Sequence, residues 1–198
     1  MNLQPFLEND TIQLIPLQAS DFEALYDVAS DPLIWEQHPN KNRYQKAVFQ
    51  NFFNGALLSK GAFIIVDKET NAIIGSTRFY DWNPDEKSVL IGYTFYGRNY
   101  WGSKYNPMIK KMMLDYAFQF IDHVYFHVGT ENIRSQIAME RLGAIKVREI
   151  NVAYHGETEK LNFEYVISKT NWKYIVKLFS KKMRLLITNA FLLFSYCY

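Results

Sequence analysis

Between Arg98 and Lys111 the sequence reads RNYWGSKYNPMIKK, a strand exit, a loop and a proline-marked helix start. The first N–H groups of a helix have no intrahelical partner, and the helix dipole adds partial positive charge at that end. A loop that delivers such a terminus to the surface can therefore hold an anion. Gly102 permits close backbone approach or a positive φ angle. Arg98, Lys104, Lys110 and Lys111 surround it. Lysines in an opening turn oppose the dipole, so a stability argument would not put Lys110 and Lys111 there, whereas a polyanionic ligand would explain them. The chemistry is phosphate binding, and the competing reading is an ordinary strand-to-helix turn. Neither G-x-G-x-x-G nor G-x-x-x-x-G-K-[ST] occurs, which argues against a dinucleotide fold and a P-loop nucleotidase. The single cysteine, Cys197, excludes an internal disulfide and any cysteine-rich metal site.

The elements that must position this loop follow from periodicity. Val89 to Tyr96 (VLIGYTFY) is the strand that enters it. Asn106 as N-cap and Pro107 as first helical residue open the helix that leaves it. Ile109, Met112, Met113, Tyr116, Ala117, Phe120 and Ile121 give that helix one continuous apolar stripe. Upstream come a strand at Thr11 to Leu17, a helix capped by Asp21 and stopped at Asp31-Pro32, and a second helix near Gln45 to Leu58. A hairpin of Ala62 to Asp67 with Ala72 to Tyr80 follows. Downstream, Val124 to Val128 alternates as a strand, and a short helix from Ile133 closes on Gly143. AIKVREINVAY and LNFEYVIS make a last hairpin. The order β-α-α-β-β-β-α-β-α-β-β reads as a mixed α/β (α+β) sheet of about six to seven strands, mostly antiparallel, with helices on both faces. Residues 89 to 129 hold its one parallel crossover.

The 198 residues suit one domain with a sizeable core, and 48% hydrophobic with 17% aromatic residues excludes disorder. A net charge of +2 gives no reason to expect nucleic acid. Lys173, Lys177, Lys181, Lys182 and Arg184 meet no acidic residue after position 172, so the segment 173–198 carries +5 and residues 1–172 carry −3. That segment ends MRLLITNAFLLFSYCY, apolar on every side but shorter than the roughly 18 to 20 residues a bilayer demands. It reads as a basic, apolar extension of a 1–172 domain, with peripheral membrane contact the lesser alternative. The opening MNLQPFLEND shows no secretory leader, so a cytoplasmic protein is expected, monomeric or homodimeric.

The crossover adds a more specific signal. IGYTFYGRNYWGSKYNPMIKKMMLDYAF followed by HVYFHVGTENIRSQIAMERLGA resembles the GNAT N-acetyltransferase superfamily, in particular its RimJ/RimL-type branch. There, a central strand leads into a pyrophosphate loop of form Q/R-x-x-G-x-G/A, and a later helix begins N-x-x-S and ends E-K-x-G-F. Tyr100, Trp101 and Gly102 match the loop; Asn132, Ser135, Glu140, Arg141 and Gly143 match the helix. The likeness runs from about residue 6 to Trp172. Asn99 stands at the motif's first position and Lys104 at its second glycine. Met139 stands where many members carry a tyrosine.

What the resemblance implies is acetyl transfer from acetyl-CoA to a primary amine, a protein N-terminus or a small molecule, in a ternary complex and without a metal. Thr94, Phe95 and Tyr96 would offer backbone groups to the pantetheine arm. Trp101, Gly102, Ser103, Lys104, Tyr105 and Asn106 would hold the pyrophosphate, and Asn132 would bond the pantetheine if it is more than a helix cap. With Met139 unable to donate a proton, Ser135 is the hydroxyl left for the departing thiolate. Glu131 and His38 are candidate bases, His127 reads as structural, and Trp35 and His38 are candidate acceptor contacts. The alternative is a CoA-binding module that kept the fold and lost turnover.

Overall fold

The computed structural model describes residues 1–102 and 104–177. Strands β1 (Leu7–Glu8) and β2 (Ile12–Pro16) precede three helices, α1 (Phe22–Ala29), the single turn α2 (Pro32–Trp35) and α3 (Lys46–Ser59). Strands β3 (Ala62–Asp67), β4 (Ile73–Asn83) and β5 (Ser88–Tyr96) form a meander. Helix α4 (Tyr105–Ala117), β6 (His123–Gly129), α5 (Ile133–Leu142), β7 (Ile145–Val152) and β8 (Lys160–Ser168) follow, and a last helix, α6, covers 169–177.

All strands join one eight-stranded sheet in the order β1-β2-β3-β4-β5-β6-β8-β7. Every neighbouring pair is antiparallel except β5 and β6. The mixed, mostly antiparallel sheet is as expected, and the strand beyond seven is β1, a two-residue rung that pairs Leu7 with Leu14. Helices cover both faces. Phe63, Ile65, Val89 and Ile91 pack with Ile109, Met113 and Leu114 of α4 and Met139 of α5. The alternate residues Ala62, Ile64 and Val66 pack with Leu25 of α1 and Phe49, Phe52 and Phe53 of α3. Because both sides of β3 are covered, it is apolar throughout until Asp67.

Helix α4 begins at Tyr105, one residue before the expected Asn106. Pro107 then lies in the first turn, where a missing N–H costs nothing. Pro32 does end α1, but it also opens α2, with the Asp31 side chain accepting from the Leu33 N–H.

One irregularity shapes the centre of the sheet. Ser76 pairs with Phe95, yet Arg78 pairs with Gly92, so Tyr93 and Thr94 together oppose Thr77. This is a β-bulge, and Tyr93 adopts φ +53 within it. An extra residue reverses the inside-outside phase of everything after it. Val89 and Ile91 face α4; beyond the bulge Thr94 and Tyr96 face α4, while Tyr93 and Phe95 face α3. Arg78 stacks its guanidinium 3.9 Å from the Tyr93 ring centroid and donates to the Gly55 carbonyl, which pins the bulge from the α3 side.

Candidate active site

The parallel strands β5 and β6 pair only at Ser88–Leu90 with His123–Tyr125. Beyond that point they separate, because the bulge bends β5 away while β6 stays bonded to β8 as far as Gly129. The facing edges, Ile91 to Tyr96 and Phe126 to Gly129, are left without each other. They flank a cavity of about 830 Å³ that is reached by groups from both faces of the sheet.

On the α4 face, β5 leads through Trp101 and Gly102 to the start of α4. Gly102 sits at φ +65, a left-handed value that favours glycine, with nothing within 4 Å of where a Cβ would be. The Trp101 indole donates to the Tyr96 carbonyl at 3.1 Å, and the Arg134 guanidinium covers its ring at 4.1 Å. Asn132 caps α5, its Oδ1 accepting from the Ser135 N–H at 3.1 Å. Lys110, only 4% exposed, turns inward from α4 and donates from Nζ to Thr94 Oγ1 at 2.6 Å. Thr94 in turn shares a 2.8 Å hydrogen bond with Thr77. Burial lowers the Lys110 ammonium to a pKa of about 7.

The α3 face is built from charged and aromatic side chains. Arg43 is 1% exposed and donates from Nε and Nη2 to Glu157 Oε1 at 3.0 and 2.7 Å. It packs over the Phe52 ring at 4.6 Å and meets His38 Nε2 at 3.1 Å. Burial, and then the Arg43 charge, hold the His38 imidazole well below its ordinary pKa. The Asn40 N–H donates to its other nitrogen. Across the cavity, His127 Nε2 lies 3.4 Å from Glu164 Oε1, and Arg148 Nε donates to Glu164 Oε2 at 2.8 Å. Buried His127 Nδ1 has no hydrogen-bond partner among the described residues. Burial lowers the His127 pKa and the Glu164 contact offsets part of that. A neutral, oriented imidazole with one nitrogen unused can accept a proton.

Residues 11–145 match the family model described as "Acetyltransferase (GNAT) domain". The chain belongs to the GNAT acetyltransferase family. Solved GNAT structures share the fold. One is a GCN5-related N-acetyltransferase from Brucella melitensis, with TM-score 0.75 and 17% identity over 86% of this chain and 81% of that one. Another is a GNAT-family acetyltransferase from Bacillus anthracis, with TM-score 0.68 and 20% identity over 84% and 99%. A third is a spermidine N-acetyltransferase from Vibrio cholerae in complex with CoA and spermine, with TM-score 0.63 and 15% identity over 83% and 99%. Among curated proteins, none matches this chain.

GNAT acetyltransferases use acetyl-CoA, and the cavity suits such a molecule. Two unpaired strand edges can accept the amides of an extended arm, and a helix start preceded by a left-handed glycine can meet phosphate. Of the expected GNAT cofactor residues, Thr94, Phe95, Tyr96, Trp101, Gly102, Asn106 and Asn132 line the cavity. Lys104 and Tyr105 are not among its lining residues, and the Tyr105 hydroxyl donates to Asp67 instead. Ser103 falls outside the described residues. Lys104 adopts an ordinary helical φ of −67, so the backbone there has no need of glycine.

The anticipated cation cluster at the loop does not form. Arg98 pairs with Asp31, Lys111 pairs with Asp115, and Lys110 points into the core. With α4 starting at Tyr105, both lysines occupy the second turn, where the dipole argument lapses.

Ser135, Trp35 and His38 also line the cavity. Trp35 is packed as well, 5.0 Å from the Phe95 ring, with its indole donating to the Ala29 carbonyl. Glu131 is not brought in: its side chain is 79% exposed and lies 3.8 Å from Lys41. His127 and Arg43, not singled out as functional from the sequence, do line the cavity. The signal for His127 was alternation, which put it opposite the apolar face of β6; its pairing with Glu164 comes only from the β6–β8 register. Nothing local marks Arg43. Among the described residues, no group of three or more His, Cys, Asp or Glu is placed to hold a metal ion, and no helix is long and apolar enough to cross a membrane.

Proposed function

We propose that this GNAT protein is a cytoplasmic N-acetyltransferase of the RimJ/RimL type, which transfers acetyl directly from acetyl-CoA to a primary amine within a ternary complex. The observation that carries this reading is the separation of β5 and β6 into a cavity reached from both faces. A donor lying along the strand edges from the α4 side and an amine arriving from the α3 side meet at the bulge. There, Tyr93 and Thr94 share one partner residue and have backbone groups outside the regular ladder, suited to the thioester carbonyl. On the amine side His127 accepts the proton, held in orientation by Glu164. On the donor side Trp101, Gly102 and Asn106 hold phosphate, and Asn132 contacts the arm.

The acceptor's chemistry follows from charge. The charged side chains lining the cavity among the described residues are Arg43, Lys110, Lys111, Arg134 and Arg141, with no carboxylate among them. Such a wall repels a second ammonium. A protein N-terminus or an aminosugar fits it better than a polyamine, the acceptor class named for the Vibrio cholerae relative.

Mass spectrometry of products from acetyl-CoA with N-terminal peptides, glucosamine and spermidine tests the assignment. Acetylated peptide or sugar is expected, with spermidine untouched. Tight CoA binding with no product from any amine would make the protein a non-catalytic CoA-binding module. His127→Ala should lower kcat about 100-fold with little change in CoA affinity. An unchanged kcat would return His127 to a structural role.

A further inference from the structure

Lys110 is the side chain that the fold does not explain. The other buried positions of α4 are Ile109, Met113, Leu114 and Ala117, and an apolar residue at 110 would continue that surface. Burying an ammonium costs stability unless a charge pairs with it. Here the partner is a neutral hydroxyl, Thr94. The amine sits between the separated strands, bonded to β5 through Thr94 and 6.0 Å from the ring of Phe126 on β6. Thr94 is the second residue of the bulge, and Thr77 fixes its hydroxyl from β4.

We infer that Lys110 is a catalytic residue that delivers the proton to the departing thiolate of CoA. This rests on the acetyl-transfer reading above. In direct transfer the amine adds to one face of the planar thioester carbonyl, and the sulfur, still carried on the donor arm, leaves from the tetrahedral intermediate towards the side on which the donor lies. The amine comes from the α3 face, where His127 stands, and the donor lies on the α4 face, where Lys110 stands. The amine nitrogen bonds to the carbonyl carbon, the C–S bond breaks, and its electron pair stays on sulfur. Lys110 gives one proton to that sulfur and becomes a neutral amine; His127 takes one from the acceptor nitrogen. The net change is one proton moved from amine to thiol, and solvent exchange through the cavity resets both side chains.

The competing donors are weaker. Met139 has no proton to give, and the Ser135 hydroxyl is a far weaker acid than an ammonium. With a pKa of about 7, the Lys110 ammonium is more acidic than a thiol, whose ordinary value is about 8.5, so the transfer runs downhill. Burial alone sets that shift, with no charged group contributing. Around Lys110, α4 carries Lys111, already paired with Asp115, and β5 carries Tyr96, raised to about 12 by burial. On β6, Tyr125 and His127 alternate with Phe126, which faces Lys110. On β4, Arg78 and Tyr80 alternate with Thr77. Arg134 and Arg141 are the cavity-lining cations of α5, and Trp172 of α6 closes the same core.

The experiment follows CoA release from acetyl-CoA by the full chain with the same peptides, glucosamine and spermidine, across pH. Wild-type kcat should fall as pH rises above about 7, where the ammonium is lost. Lys110→Met should lower kcat about 100-fold, remove that alkaline limb, and leave CoA affinity within roughly threefold. Lys110→Arg should be equally slow, because a guanidinium holds its proton. A kcat kept by both variants, a loss confined to CoA affinity, or full rescue by arginine would each overturn the role. Should neither variant fold, a wild-type kcat that does not fall between about pH 7 and 9 overturns it. No release from any amine would instead remove the acetyl-transfer reading, and this inference with it.

Discussion

The two faces of the cavity are made of different material. On the α4 side the candidate ligand contacts are mainly backbone: unpaired strand edges, a left-handed glycine and a helix start. On the α3 side they are side chains held by ion pairs, the buried Arg43 with Glu157 and His38, and His127 with Glu164, to which the exposed Arg148 also donates. Backbone contacts survive almost any change of side chain, and that accounts for a shared fold at 15–20% identity with the solved GNAT structures. Networks of buried charge fail when one member changes. On the proposed reading, the contrast separates what a GNAT chain needs in order to bind its donor from what this chain needs in order to choose and orient its acceptor.

The largest test of that contrast is Arg43→Ala. Removing one partner of a buried ion pair strands the other, and a loss of about 3–5 kcal/mol is expected in denaturant unfolding. A loss under about 1 kcal/mol would mean that the α3 network is not structural.

Lys110→Met should act in the opposite direction. A lysine lowered from 10.5 to about 7 binds fewer protons when folded than when unfolded, so stability rises with pH through that window. The burial cost is absent above the unfolded pKa, accumulates as pH falls from about 10.5 to 7, and is complete below it. The methionine variant should gain about 3–4 kcal/mol at pH 7 and little at pH 10. Equal gains at both values would show that the lysine is not buried as a titrating amine.

The same contrast governs what could be read in the sequence. Strands and helices were legible to within a few residues, because periodicity and caps act locally. So was the contiguous loop that carries β5 into α4. The bulge was signalled only by Gly92 in mid-strand, a feature easily passed over in an otherwise regular apolar run. Lys110 stands three, four and seven residues before Met113, Leu114 and Ala117, so helical spacing already puts it on the buried face. The networks on the α3 side were illegible for a different reason. Arg43 meets Glu157 and His127 meets Glu164 only after distant segments are docked in register, and no short window contains both partners.

Asn132→Ala probes the boundary between the two kinds of contact. The side chain does cap α5, so its loss should cost about 1 kcal/mol of stability. Asn132 lines the cavity and its Nδ2 has no hydrogen-bond partner among the described residues, so CoA affinity should fall by more, about tenfold. Calorimetric titration beside thermal unfolding separates the two. Equal losses would leave Asn132 a plain cap.

The smallest expected effect is at Lys104. With φ −67 and ψ −14 its backbone is relaxed, so Lys104→Gly relieves no strain and adds unfolded-state entropy. Any contribution to CoA must come from charge. The side chain is exposed, and an exposed ion pair is worth about 0–1 kcal/mol, so Lys104→Ala should weaken CoA binding by no more than about fivefold. That loss should shrink further as salt is raised, since screening removes what the lysine adds. Lys104→Gly should bind no more tightly than the alanine variant. Tighter binding by the glycine variant would show that loop conformation matters more than charge here, and that this helix start is less settled than the rest of the donor side.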